Sequence, residues 1–201
     1  MKKLIALIAA FVALTVNSAT LNYTNSVSGF TDFTQDIPIP QFNPALGTLR
    51  EIVVQAQIIE KRTIGLENQS SAIQSASANI RNMIRFTVSD SIDNTYNSSV
   101  SLRKTFYAFD GIADYAGTSG YTFPSNSTNA MALSVTNASQ FTGYSVIPVR
   151  VAVVGTSSWS FFGGAYAAKS SDFVEIRIFV SYTYDPCIVI NYDNRKFKRI
   201  V

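Results

Sequence analysis

From Phe173 to Tyr184 the chain alternates with a period of two. Phe173, Glu175, Arg177, Phe179, Ser181 and Thr183 fall on one side, and Val174, Ile176, Ile178, Val180, Tyr182 and Tyr184 on the other. A helix advances about 100° per residue and scrambles such a pattern, whereas a half-buried strand requires it. The same signal recurs along the chain. Asn22 to Phe30 reads as a strand, and Phe33 to Phe42, with Pro38 and Pro40, as an edge or irregular extended segment. Thr48 to Ile59 is a long β-branched run, with Lys61 to Leu66 as its expected hairpin partner and Glu67 to Ser71 as a polar turn. Ser98 to Phe109, Met131 to Thr136, Ser145 to Val154 and Ser157 to Tyr166 complete the set. Ala72 to Val88 fits both periods. Asp110 to Asn129, with Gly111, Gly117, Gly120 and Pro124, reads as the longest loop. Eight or more strands separated by turn signals predict an all-β chain, an antiparallel β-sandwich of jelly-roll type.

Composition narrows the chemistry. The chain is 47% hydrophobic and only 14% charged, which excludes a disordered polypeptide. It has no His and a single Cys. Ser-His-Asp triads, Cys-His pairs and His- or Cys-built zinc sites are therefore excluded, as are intrachain disulfides. Its four Glu (Glu51, Glu60, Glu67 and Glu175) offer no clear catalytic pair. Glu51 and Glu175 stand beside Arg50 and Arg177, where ion pairing is the simpler expectation. No enzymatic activity is expected.

Lys2 and Lys3 precede an uncharged, mostly apolar run from Leu4 to Val16, with Ser18 and Ala19 behind it. This is the layout of a secretory signal peptide, too short to span a bilayer. The expected division is residues 1–19 as a signal peptide, 20–186 as the sandwich, and 187–201 as a short basic tail. The mature chain is expected to start at Ala19 or Thr20, without a transmembrane segment. Of 16 basic and 13 acidic residues, 10 and 12 lie between Ala19 and Pro186, so this body carries a net charge of −2. A nucleic-acid partner is not expected of such a body.

FNPALGTLREIVV at Phe42 to Val54 resembles the opening segment of the bacterial choice-of-anchor E domain. QFTGYSVIPVRVAVVGTSS at Gln140 to Ser158 and VEIRIFVSYTYDP at Val174 to Pro186 resemble its later strands. The resemblance runs from about Asn25 to Pro186. It implies an exported all-β surface or matrix protein with no catalytic residues, and it favours strand over helix for Ala72 to Val88. Within the opening motif, Pro44 and Gly47 suit a structural corner, with Phe42 and Leu46 packing on either side.

The expected function is that of a secreted, non-enzymatic structural or adhesive protein of the cell surface or matrix. Its partners would be a surface or matrix polymer, a glycan among them, or further copies of itself. The alternative is a carbohydrate-binding module built on the aromatic cluster of Trp159, Phe161 and Tyr166. Phe162 and Tyr144 lie near that cluster in sequence, though core packing accounts for most such rings. No cofactor is expected. Calcium is the one ion considered, through Asp90 to Asn94 or Asp110 to Asp114, and neither segment matches a calcium loop. The lone Cys187 is either a surface thiol or a buried small hydrophobe.

Overall fold

The computed structural model describes residues 18–187. Residues 1–17 of the expected signal peptide (1–19) and the tail from Ile188 lie outside the described residues. The described residues form eight strands: β1 (Ala19–Phe30), β2 (Phe33–Pro40), β3 (Gly47–Asn68), β4 (Gln74–Val88), β5 (Ile92–Phe106), β6 (Gly120–Leu133), β7 (Val146–Phe161) and β8 (Tyr166–Pro186). They form two four-stranded sheets, ordered β1-β8-β3-β6 and β2-β7-β4-β5. All pairings between these strands are antiparallel. Eight strands in this order are a jelly roll.

Alternation decides which residues face between the sheets. Val174, Ile176, Ile178, Val180 and Tyr182 of β8 are buried, and they meet Val149, Val151 and Val153 of β7 and Ile37 and Ile39 of β2 in one apolar cluster. A second cluster holds Ile64, Leu66, Ala76, Ala78, Ile80 and Phe106. Pro38 and Pro40 sit on the edge strand β2, opposite Pro148 and Val146. An edge strand tolerates the missing N–H donors. Ala72 to Val88 contributes a strand, as the resemblance favours.

Three segments differ from the sequence reading. β3 runs unbroken through the expected hairpin, because Glu60 and Arg62 turn inward instead of marking a turn. β7 runs unbroken through Gly155, joining two expected strands into one. The expected loop splits: Tyr107 to Ser119 is non-strand, while Gly120 onward is β6, an edge strand that accommodates Pro124. Tyr121, Phe123, Ser125 and Ser127 on its less exposed face supply the alternation.

The Phe42–Gly47 segment is a corner. Pro44–Leu46 forms one 3-10 turn, capped by Asn43, whose Oδ1 accepts the Ala45 N–H at 2.8 Å. Gly47 holds φ at +153°, and a Cβ there would fall 1.9 Å from the Asp185 carbonyl oxygen. Glycine is required for that close approach. Phe42 is buried against Tyr182 and Tyr184, whereas Leu46 is largely exposed.

Candidate functional site: an inter-sheet polar belt and a lateral cleft

A layer of buried polar groups crosses the sandwich between the two apolar clusters. It starts from Glu60 and Arg62 on β3, neighbours on the same inward face. Glu60 is fully buried, and Arg62 and Asp172 of β8 nearly so. Arg62 donates to Glu60, and its Nε donates to Asp172 Oδ2 at 3.1 Å. Glu60 also accepts from Asn82 Nδ2 at 2.8 Å and from the hydroxyls of Ser98 at 2.6 Å and Ser127 at 3.1 Å. Both Glu60 oxygens are thus engaged. Burial pushes the Asp172 carboxyl above its ordinary range, and the Asn82 amide and Arg62 oppose the shift. Within the layer, Asp172 Oδ1 and Asn82 Oδ1 are buried without a hydrogen-bond partner.

The belt meets the surface at a lateral cleft of about 290 Å³ whose lining includes Thr31, Asp32, Gly155, Ser157, Ser170 and Asp172. The cleft exists because β1 and β2 are short. β1 pairs with β8 only from Phe173 onward, and β2 pairs with β7 only as far as Val153. Beyond those points β7 is paired only to β4, and β8 only to β3. The β1–β2 corner closes one end of the cleft: Thr31 N–H donates to the Asp172 carbonyl at 3.1 Å, and Asp32 Oδ1 accepts the Gly155 N–H.

The aromatic candidates assemble nearby. Trp159 and Phe161 pack against the second apolar cluster. The Tyr166 ring stacks on Phe161 with centroids 3.3 Å apart. Trp159 and Phe161 are thus half-buried, while Tyr166, Phe162 and Tyr144 are exposed. The candidate calcium segments are not brought together as ligand sets. Asp93 is paired with Arg85 at 2.7 Å, and that hydrogen bond holds its carboxyl below the usual range. Asp110 and Asp114 each accept a backbone N–H two residues on, from Ile112 and Ala116. Among the described residues no three Asp, Glu, His or Cys side chains converge as a metal site. Glu175 does pair with Arg177 at 2.7 Å, but Arg50 pairs with Asp185 rather than with Glu51. The β3–β8 register shifts between Leu49 and Glu51, and a bulge of this kind re-aims a side chain.

Sequence reasoning did not find the belt. Glu60, Asn82, Gly155 and Asp172 come from four strands, and the only local signal was a charged Glu60–Arg62 pair inside a β-branched run. Cys187 is exposed, and its N–H donates to the Leu46 carbonyl at 2.9 Å. Among the described residues no helix is long and apolar enough to cross a membrane.

No protein-family model and no curated protein matches the chain. Among solved structures, the infectious bursal disease virus Gx strain is 12% identical, over 85% of this chain and 38% of that one, with a TM-score of 0.22. The VP2 subviral particle of the same virus is 10% identical, over 96% and 49%, with a TM-score of 0.23. The chain thus spans less than half the length of either.

Proposed function

We propose that this chain is an exported, non-enzymatic structural or adhesive protein of the cell surface or matrix, akin to choice-of-anchor E domains, and that it associates through an open sheet edge. One observation carries the reading. Thr156 to Phe161 of β7, beyond the Gly155 N–H that Asp32 takes, is a six-residue stretch with one unpaired edge, no charged residue and no proline. Sheet edges are ordinarily guarded by Lys, Pro, bulges or a covering segment, and an unguarded one is a template for another strand. The remaining edges carry such devices. β2 has Asp36, Pro38 and Pro40, β5 has Asp93, Arg103 and Lys104, β6 has Pro124, and the open ends of β3 and β8 have Arg50 and Glu51, and Lys169 and Asp172. β1 is uncharged, but its Asn25 Oδ1 takes the Ser26 N–H and its Nδ2 donates to the Pro38 carbonyl.

Expression of the full chain in a bacterial host, followed by fractionation and N-terminal sequencing, tests the reading. Protein in the surface or extracellular fraction, starting at Ala19 or Thr20, is expected. Ser158→Lys should reduce surface retention and self-association by about tenfold without changing the far-UV circular dichroism; one edge contact of about 1.4 kcal/mol corresponds to that factor. Cytoplasmic protein retaining Met1 defeats the export reading. Unchanged association in Ser158→Lys defeats the edge.

A further inference from the structure

The outward face of the β2-β7-β4-β5 sheet carries a hydroxyl and amide layer. Every second residue turns away from the core on β4 from Ser75 to Met83, on β5 from Thr95 to Thr105 and on β7 from Ala152 to Ser160. Those positions hold six Ser, three Thr and two Asn, and no acidic residue. The strand register sets them side by side. Asn79 stands between Ser101 and Ser158, and Arg81 between Ser99 and Thr156. Side-chain hydrogen bonds already order this layer. Arg81 Nε donates to Asn79 Oδ1 at 3.0 Å, and Asn79 Nδ2 donates to Ser101 Oγ at 2.6 Å.

Two shallow depressions follow one another along β4. One, of about 460 Å³, takes in Ser77 and Asn79 with Arg103 and Ser158, and the next, of about 530 Å³, takes in Arg81 and Met83 with Ser99 and Val154. From Ser77 to Met83 they follow about 20 Å of strand. Small apolar patches interrupt the polar lining. Met83 and Val154 are exposed in the second depression, and the exposed Phe162 ring lies 6.0 Å from the Arg103 guanidinium beside the first.

The charge on this face is positive and sparse. Among the described residues Arg81 and Arg103 make no ion pair, whereas Arg85, at the next outward position after Met83, is paired with Asp93. Arg103 stands opposite Ser77, so the two guanidinium-bearing positions are about 13 Å apart along the strands. The body from Ala19 to Pro186 is net negative, so attraction for an anion belongs to this face and not to the molecule. The outward face of the other sheet is mixed in sign, with Lys61 beside the paired Glu175 and Arg177.

We propose that this face binds a carboxylated polysaccharide laid along β4. Such a polymer offers hydroxyls that exchange hydrogen bonds with Ser, Thr and Asn, and carboxylates that a guanidinium meets with a planar fork. The apolar faces of its sugar rings cover Met83, Val154 and Phe162. Nucleic acids carry a charge every few ångströms and call for a dense cationic stripe, which two arginines about 13 Å apart do not supply. The proposal gives the surface reading above a partner and does not depend on the open β7 edge.

Native gel electrophoresis of the purified full chain through polygalacturonate, dextran sulfate or neutral dextran tests it. Retardation by polygalacturonate that weakens with added salt is expected, with none by dextran. Arg81→Ser combined with Arg103→Ser should lower the affinity for polygalacturonate about tenfold, with the far-UV circular dichroism unchanged. Lys61→Ser combined with Arg177→Ser removes the same net charge from the other sheet and should leave binding intact. No retardation by polygalacturonate overturns the proposal. Equal retardation by dextran also overturns it, since hydroxyl contacts alone would then suffice. Equal loss in both double variants overturns it as well, because only net charge would then be read. Stronger retardation by dextran sulfate would assign the face to polysulfates, and the carboxylate class falls. Self-association measured on the same samples should survive in the double arginine variant, so failure of the face and failure of the edge are read separately.

Discussion

Tyr182 shows how one side chain ties the two sheets together. It is fully buried on β8, its ring meets Tyr23 edge-on and Phe42 at a tilt, and its hydroxyl donates to the Pro40 carbonyl at 2.9 Å. Burial pushes its phenol up, and Tyr23 adds to the shift. The sign follows from proton linkage. Above pH ~10 an unfolded tyrosine ionises while the folded phenol keeps its proton. The native state then binds more protons than the unfolded one, and stability falls as pH rises through that window. Tyr182→Phe should lose about 1–2 kcal/mol at pH 8, through the missing hydrogen bond, and then decline less steeply above pH 10. Denaturant unfolding at both pH values checks this, and parallel declines would exclude Tyr182 as the titrating group. The alternation of β8 already placed Tyr182 on a single face in the sequence. Its partner on β2, 142 residues away, had no sequence signal.

At the scale of elements, Glu67 decides what becomes of the longest connection. It is buried at the end of β3, with one oxygen accepting the Tyr115 N–H and the other the Ser119 hydroxyl, each at 2.6 Å. Asn68 beside it donates to the carbonyls of Ala72 and Tyr107. Lys169 lies 4.0 Å above the Tyr115 ring. The segment from Tyr107 to Ser119 is therefore stitched to β3, although its glycines and small polar residues read as free loop. Glu67→Ala removes two charge-assisted bonds, each worth about 1.5–3 kcal/mol. It should destabilise the fold by about 2–4 kcal/mol and speed amide exchange across residues 107–119. Unchanged exchange there would show that Asn68 alone holds the loop. Strands were legible wherever apolar and polar residues alternate. Boundaries failed where charge or glycine stood for something other than a turn. Glu60 and Arg62 resemble a hairpin tip but face inward, and Gly155 resembles a break but serves a close approach to Thr31. The cluster of Trp159, Phe161 and Tyr166 was legible as a group because β7 and β8 are joined by a short connection. The belt was not legible, because its charges belong to strands that meet only through sheet topology.

Across the whole molecule the belt divides the core unequally. Among the described residues, one side holds 21 buried apolar residues, among them Val54, Ile58, Val151, Ile178 and Tyr182, beneath all four strands of each sheet. The other holds six, Ile64, Leu66, Ala76, Ala78, Ile80 and Phe106, where β1 and β2 no longer reach and β7 and β8 have open edges. Burial is the main favourable term in folding, and local opening follows its local density. The half with fewer buried residues and unpaired edges should therefore open first. Hydrogen exchange read by mass spectrometry should find the slowest amides in residues 54–58 of β3, 149–153 of β7 and 174–182 of β8. Residues 157–161 of β7, 166–171 of β8 and 121–125 of β6 should exchange at least tenfold faster, which a difference of about 1.4 kcal/mol in opening free energy produces. Uniform protection across all these segments would mean that the belt joins the halves into one cooperative unit, with its hydrogen bonds outweighing the shortage of apolar burial beyond it.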